Sequence, residues 1–146
     1  APIGIAVQEY FDYKNVETDH IAVRTSSYYG INQQSKEIKV HGLHYIIENA
    51  NSDDSLLIVD DVFDSGRSIK ALISQLKLTM RNNMPKDVRT ACPWYKPENK
   101  QVDITPDYYV HESKEWLVFP HELSGLTPDE IKSGKKDLAN IHDLLV

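Results

Sequence analysis

Leu56-Leu57-Ile58-Val59-Asp60-Asp61-Val62-Phe63-Asp64-Ser65-Gly66-Arg67-Ser68 is the stretch on which the fold of this chain turns. Its four leading apolar residues, set between polar flanks, suit a strand buried on both faces, as in a parallel sheet. Asp60 and Asp61 follow side by side. Two adjacent carboxylates are costly to bury without partners, so the strand should end at a wet crevice. Ser65-Gly66-Arg67-Ser68 then offers two hydroxyls, a residue free to take positive φ and a guanidinium, just before an amphipathic run opens at Ile69. Backbone N–H groups and the helix dipole converge at such a helix start, which makes it a cradle for a phosphate. Carboxylates suited to a sugar diol or a metal ion thus stand beside an anion site at the carboxyl end of a strand, where open α/β sheets bind their ligands.

The apolar run by itself is only a core strand. Paired aspartates after a strand also open phosphorelay receiver domains, where they hold magnesium. A receiver would carry this strand near its start and a phospho-accepting Asp after a later buried strand. Here the stretch lies mid-chain, and the later Asp103 and Asp107 sit in polar, proline-flanked sequence. Neither a Walker A pattern nor a GxGxxG fingerprint is present, which sets aside the common triphosphate and dinucleotide folds.

Composition narrows the classes further. A chain of 146 residues favours one domain with a real core. Its formal net charge of -6 argues against a dedicated nucleic-acid binder. A polyanion would therefore need locally concentrated positive charge or a metal. One cysteine, Cys92, rules out an intramolecular disulfide framework, and a cytoplasmic location is the default. No apolar stretch reaches the length of a membrane span, and no signal peptide is visible.

Along the chain, Ala1–Phe11 reads as a β-prone strand and 12–19 as a loop. Ile21–Thr25 reads as a strand, 26–35 as turn-like, and Lys36–Val40 as a half-exposed strand, together an extended hairpin. His41–Leu43 leads to a polar stretch, Glu48–Asp54, before the central strand, where Asp53 and Asp54 are turn residues. Ile69, Leu72, Ile73 and Leu76 share one face of a helix that Arg81–Pro85 ends. Asp87–Tyr95 is the next strand, with Pro93 pointing to an edge or an irregular end. Cys92 has no evident His partner and reads as packing. Pro106–Val110 and Glu115–Pro120 read as further short strands or extended segments. Thr127-Pro128-Asp129-Glu130 is a helix start, and Ile131, Leu138, Ile141, Leu144 and Leu145 supply its packing stripe.

Val59–Ser68 resembles the phosphoribosyl-pyrophosphate (PRPP) motif of type I phosphoribosyltransferases: an apolar strand, two acidic residues, two variable ones, then Asp-Thr-Gly-x-Thr. Both threonines are serine here, which keeps the hydroxyls. The resemblance runs from about Arg24 to Glu122. It implies that Asp60 and Asp61 hold the ribose hydroxyls, that Asp64 is the general base at purine N7, and that Ser65, Gly66, Arg67 and Ser68 hold the 5′-phosphate. Ser27 and Tyr28 resemble the Ser-Tyr pair of a mobile lid, and Arg24 matches a basic position near the pyrophosphate, although a solvent-facing strand-edge Arg is an equal reading. Lys96-Pro97 resembles the step by which 6-oxopurine enzymes bind the exocyclic oxygen; a lysine only donates, so it suits that carbonyl and disfavours adenine's amino group. Trp116, Leu117 and Glu122 fall where an aromatic stacks on the purine, the next residue offers main-chain groups to its edge, and an acid six residues on meets a metal. For a lone Trp, the ordinary alternative is the core.

These features predict an α/β fold with a mainly parallel central sheet flanked by helices and a mobile lid hairpin. The resemblance implies transfer of the 5-phosphoribosyl group from PRPP to N9 of guanine, hypoxanthine or xanthine. Magnesium (Mg2+) would be the cofactor, with Asp60, Asp61 and Glu122 as candidate contacts. The implied partners are PRPP, the purine base and copies of the chain in a homodimer or homotetramer. Members of that family carry a strand, a pyrophosphate-holding loop and a helix before the point where this chain opens. No segment here matches that loop, so either the sequence starts late or pyrophosphate binding is altered; the favoured expectation is the first, a single domain lacking an N-terminal segment. A PRPP or nucleotide sensor on the same fold is the rival from another class, and an orotate or pyrimidine substrate is the rival within the enzymes.

Overall fold

A computed structural model of the chain describes residues 1–29, 36–119, 122–123 and 126–135. They fall into two compact units, residues 1–114 and 115–146.

In the first unit the central strand is flanked on both edges by parallel neighbours. β5 (Asp87–Tyr95) pairs on one side with β3 (Ser55–Val59) and then β4 (Val62–Phe63), and on the other with β6 (Tyr108–Glu112), every pairing parallel. β3 and β4 keep one register against β5: Val59 opposes Ala91 and Val62 opposes Trp94. They are a single strand interrupted at Asp60–Asp61. Pro93 explains the interruption. It lies inside this central strand rather than at an edge, and neither ladder pairs it. A proline has no N–H to give a ladder, so the sheet opens at this level. The sequence places Pro93 opposite Asp61 in the common register. The residues of the break satisfy their own amides: Asp61 N–H donates to Asp60 Oδ1 at 2.9 Å and Val62 N–H to Asp61 Oδ1 at 2.8 Å.

α3 (Arg67–Met80) connects β4 to β5 and buries Ile69, Leu72, Leu76 and Met80. With Ile58, Phe63, Cys92, Tyr95 and Leu43 these form the core. The helix runs a turn beyond its expected apolar stripe, which Met80 extends. α2 (His44–Asn49) is not among the expected elements, and its end runs into the stretch read as polar; Leu43, Ile46, Ile47 and Ala50 carry helical spacing and pack in or against that core. The opening stretch is α1 (Pro2–Tyr13), not the expected strand. A short apolar run does not separate strand from helix by periodicity. Here Pro2 suits the first turn, and the half-buried Ile3, Val7 and Phe11 recur every fourth residue, while Ile5 and Tyr10 face outward.

β1 (Arg24–Tyr29) and β2 (Lys36–His41) form an antiparallel hairpin, Arg24 opposite His41 and Tyr29 opposite Lys36. The first arm thus begins three residues later than expected and takes in residues read as turn. β2 packs on α3, which ties the hairpin's base to the core. Residues 30–35 between the arms lie outside the described residues. No helix among the described residues is long and apolar enough to cross a membrane.

In the second unit, Glu115–Phe119 belongs to no strand among the described residues, so the extended segment expected there adds nothing to the sheet. α4 (Pro128–Gly134) begins with the predicted capping box: Thr127 Oγ1 accepts from Glu130 N–H, and the Glu130 carboxylate accepts from Thr127 N–H at 2.8 Å. Ile131 is buried beneath it. Leu138, Ile141, Leu144 and Leu145 lie outside the described residues.

Candidate active site

The break in the β3–β4 strand holds Asp60 and Asp61 at the sheet's carboxyl edge. Asp60 N–H still donates to Ala91 O at 3.0 Å, so its backbone is anchored in the sheet while its carboxylate accepts from Asp61 N–H within the opening. Burial, reinforced by the neighbouring Asp61 carboxylate, pushes the Asp60 carboxyl up to about 6. The bond from Asp61 N–H pulls the other way. Carboxylates crowded and half-buried in this way are poised for groups that donate hydrogen bonds or carry positive charge.

Asp64 and the residues after it turn the chain from β4 into α3. Gly66 caps the helix with φ 77°, in the left-handed region. A Cβ there would lie 2.5 Å from Val102 Cγ2 and 2.6 Å from Phe63 Cζ. Glycine is therefore required twice, for its dihedral and for the contact. Arg67 N–H leans on Ser65 Oγ at 3.4 Å, and Ser65 through Ser68 stand around the first turn of α3.

Sequence reasoning missed what braces this turn. The chain from Lys96 to Asp103 runs alongside Phe63–Lys70 and touches it almost residue by residue. Lys96 N–H donates to Phe63 O at 2.9 Å, and Lys96 Nζ lies 3.4 Å from Asp64 Oδ2. Asn99 Nδ2 donates to Asp64 Oδ1 at 2.8 Å. Gln101 N–H donates to Ser65 O at 2.9 Å, Val102 closes over Gly66, and Lys70 Nζ meets Asp103 at 2.8 Å. Glu98–Gln101 is polar and patternless, so nothing local announced these contacts. Lys96 itself is buried to 5% exposure, although a lysine in a turn is ordinarily a surface residue. Asp107, by contrast, is structural: its Oδ2 accepts from Thr90 N–H and Thr90 Oγ1 at 2.8 and 3.2 Å. Cys92 is buried, and burial pushes its thiol up, in keeping with packing rather than nucleophilic work.

The predicted site residues thus divide into three groups. Asp60, Asp61, Asp64, Ser65, Gly66, Arg67, Ser68 and Lys96 are brought together at one edge of the sheet. Arg24, Ser27 and Tyr28 lie along β1 of the hairpin, with Arg24 and Ser27 exposed. Trp116, Leu117 and Glu122 belong to the second unit. Trp116 is 85% exposed, which excludes the core as its place. Glu122 Oε2 accepts from Phe119 N–H at 2.9 Å and Glu122 N–H donates back to Phe119 O, closing a small turn.

No group of three or more His, Cys, Asp or Glu side chains among the described residues could hold a metal ion. Asp60 and Asp61 nevertheless fit magnesium as it is commonly held, by one or two carboxylates with water and substrate phosphates supplying the remaining oxygens.

The sequence profile of the phosphoribosyl transferase domain matches residues 10–125. A hypoxanthine-guanine phosphoribosyltransferase of Streptococcus mutans serotype c is 33% identical over 98 residues, 67% of this chain and 49% of that protein. One from Lactococcus lactis subsp. lactis is 35% identical over 94 residues, 64% of this chain and 46% of that protein. The chain spans about half the length of the curated relatives it matches. The solved purine phosphoribosyltransferase from Pyrococcus horikoshii Ot3 superposes with a TM-score of 0.51 at 28% identity, covering 72% of this chain and 62% of that one. A hypothetical protein from Neisseria gonorrhoeae with bound ppGpp superposes with a TM-score of 0.60 at 21% identity, covering 79% and 65%, and shows the fold alone. With the profile running across most of its length over a sheet of this topology, the chain belongs to the phosphoribosyl transferase domain family.

Proposed function

We propose that this chain carries the site that transfers the 5-phosphoribosyl group from PRPP to N9 of a 6-oxopurine, releasing pyrophosphate and giving the nucleoside monophosphate. One observation carries the reading. A buried lysine is held 3.4 Å from Asp64, next to a helix-start cradle and a pair of strand-end carboxylates. A sensor of PRPP needs the cradle and the carboxylates but has no use for a base or for a cation at the purine edge. The names of the two streptococcal and lactococcal relatives and of the archaeal structure point the same way.

In this reading Asp60 and Asp61 accept hydrogen bonds from the ribose 2′- and 3′-hydroxyls and hold the anomeric carbon toward the base. The N–H groups at the start of α3, with Ser65, Arg67 and Ser68, hold the 5′-phosphate. Gly66, bare of a side chain, lets the turn close against Val102 and Phe63 so that those N–H groups converge. Lys96 donates to the exocyclic oxygen of the purine, and the resemblance gives the base-stacking role to Trp116. The bond from C1′ to pyrophosphate oxygen breaks as the bond from N9 to C1′ forms, and Asp64 takes the proton from N7. Magnesium, bound through Asp60 or Asp61 and the phosphate oxygens, would neutralise charge on the departing pyrophosphate. Arg24, Ser27 and Tyr28 would close over the site and keep water from the reacting carbon. The resemblance also implies a homodimer or homotetramer, which sedimentation equilibrium reads directly.

The test is consumption of guanine, hypoxanthine and xanthine by the purified chain, with and without PRPP and magnesium, read with release of pyrophosphate. Turnover that needs PRPP and excludes adenine is expected. Tight PRPP binding with no pyrophosphate released would make the chain a sensor instead.

A further inference from the structure

The turn that carries Lys96 also carries a second side chain aimed at Asp64. Pro97–Asn99 is one turn of 3-10 helix, in which Asn99 N–H donates to Lys96 O at 3.2 Å. Two residues on, Gln101 N–H is tied to Ser65 O. The turn is therefore pinned at both ends to the chain it faces. From it Asn99 Nδ2 reaches Asp64 Oδ1 at 2.8 Å, while Lys96 Nζ stands 3.4 Å from Oδ2. Each carboxylate oxygen has its own partner, and the two partners differ in kind. The lysine is a flexible cation and also the proposed reader of the purine oxygen. The asparagine is a short neutral donor with one obvious task.

We propose that Asn99 is a positioning residue for Asp64, fixing one carboxylate oxygen so that the other faces the purine proton when Lys96 turns to the base. This rests on the reading of Asp64 as general base. The chemistry favours a neutral amide here. A second cation would hold the carboxylate's electrons too firmly for it to accept a proton, whereas an amide orients it with less electrostatic cost. Asp64 is 45% exposed at its side chain, so without such a tether it could swing among rotamers in water. Purine binding would then present the lysine to its ligand and leave the base aligned, both from a single rigid turn.

Three variants of the chain assayed with PRPP and guanine, Asn99→Ala, Asn99→Asp and Asp64→Asn, together with the double variant of the last two followed by thermal melts, decide the matter. Asn99→Ala should lower kcat about tenfold with KM for PRPP and guanine within about twofold, the signature of lost orientation. Asn99→Asp keeps the shape but turns a donor into a like charge against Asp64, so it should fall well below the alanine variant. An Asn99→Asp protein as active as wild type, or an Asn99→Ala protein with unchanged kcat, would overturn the proposal. So would a rise in KM for PRPP equal to the fall in kcat. Thermal melts test the contact without any turnover. Asn99→Asp should lower Tm in the wild-type background and not in Asp64→Asn, where the amide now sits at position 64 and can donate to the carboxylate introduced at position 99. Equal Tm losses in the two backgrounds would remove the contact. If Asp64→Asn itself keeps full turnover, the base assignment fails and the positioning role fails with it; that result is distinct from an inert Asn99 beside an essential Asp64.

Discussion

Asp60→Asn should make this protein more stable at neutral pH, and the gain should disappear in acid. Asp60 is half-buried beside Asp61, which lifts its carboxyl from the ordinary 3.8 to about 6. The native state therefore binds the Asp60 proton more tightly than the unfolded chain does. Between about pH 4 and pH 6 the folded protein holds a proton that the unfolded chain has lost, so stability falls as pH rises through that window and is level above it. At 1.36 kcal/mol per pH unit the full effect amounts to about 3 kcal/mol, and about 1–3 kcal/mol remains once the solvent access of the crevice is allowed for. Asparagine keeps an oxygen to accept Asp61 N–H, now at 2.9 Å, and removes the like charge. Urea unfolding of both proteins at half-unit steps from pH 4 to 8 reads the difference. The variant's advantage should open between pH 4 and 6 and stay constant to pH 8. An advantage that is absent at pH 7.5, or that widens as the pH falls, would refute the account of Asp60 as a carboxylate kept at a cost. The same variant should bind PRPP more weakly, since the charge that costs stability is the one offered to the ribose.

Asp64→Asn should cut turnover by about a hundredfold or more while PRPP binding, followed by calorimetry, survives; unchanged turnover would remove Asp64 from the mechanism. Gly66→Ala should destabilise by about 2–4 kcal/mol in urea, because the methyl meets Val102 and Phe63 inside 3 Å at a left-handed φ; a neutral change would mean that the turn relaxes freely. Trp116→Ala should raise KM for the purine far more than KM for PRPP and leave Tm nearly unchanged, since the indole is 85% exposed. A large loss of Tm would contradict that exposure, and equal KM effects would contradict stacking on the base.

The site was legible in the sequence where its residues are contiguous. Strand, carboxylate pair and helix-start glycine follow one another within Leu56–Ser68, and each is dictated by local chemistry: an apolar run that wants burial, charges that refuse it, and a backbone turn that only glycine makes. α3 and the capping box of α4 were legible for the same reason, periodicity and capping being properties of neighbours in sequence. α1 was not, since apolar residues such as Ile3, Val7 and Phe11 fit a strand or a helix until something packs against one face. α2 carried its signal at Leu43, Ile46, Ile47 and Ala50, masked by the polar residues around it.

By itself, then, the amino-acid order determined that this chain would place two acids and a glycine-led helix start at the end of a buried strand, because those demands are met within a dozen residues. Only the tertiary structure decided the rest. Pro93 sits in the central strand and opens the sheet beside the acids, Lys96 is buried against Asp64, and Asn99, Gln101 and Val102 brace the motif from more than thirty residues away. Those contacts depend on the parallel register that lays one strand-end against the next, and hydrogen bonds between distant segments leave no periodic trace in either of them.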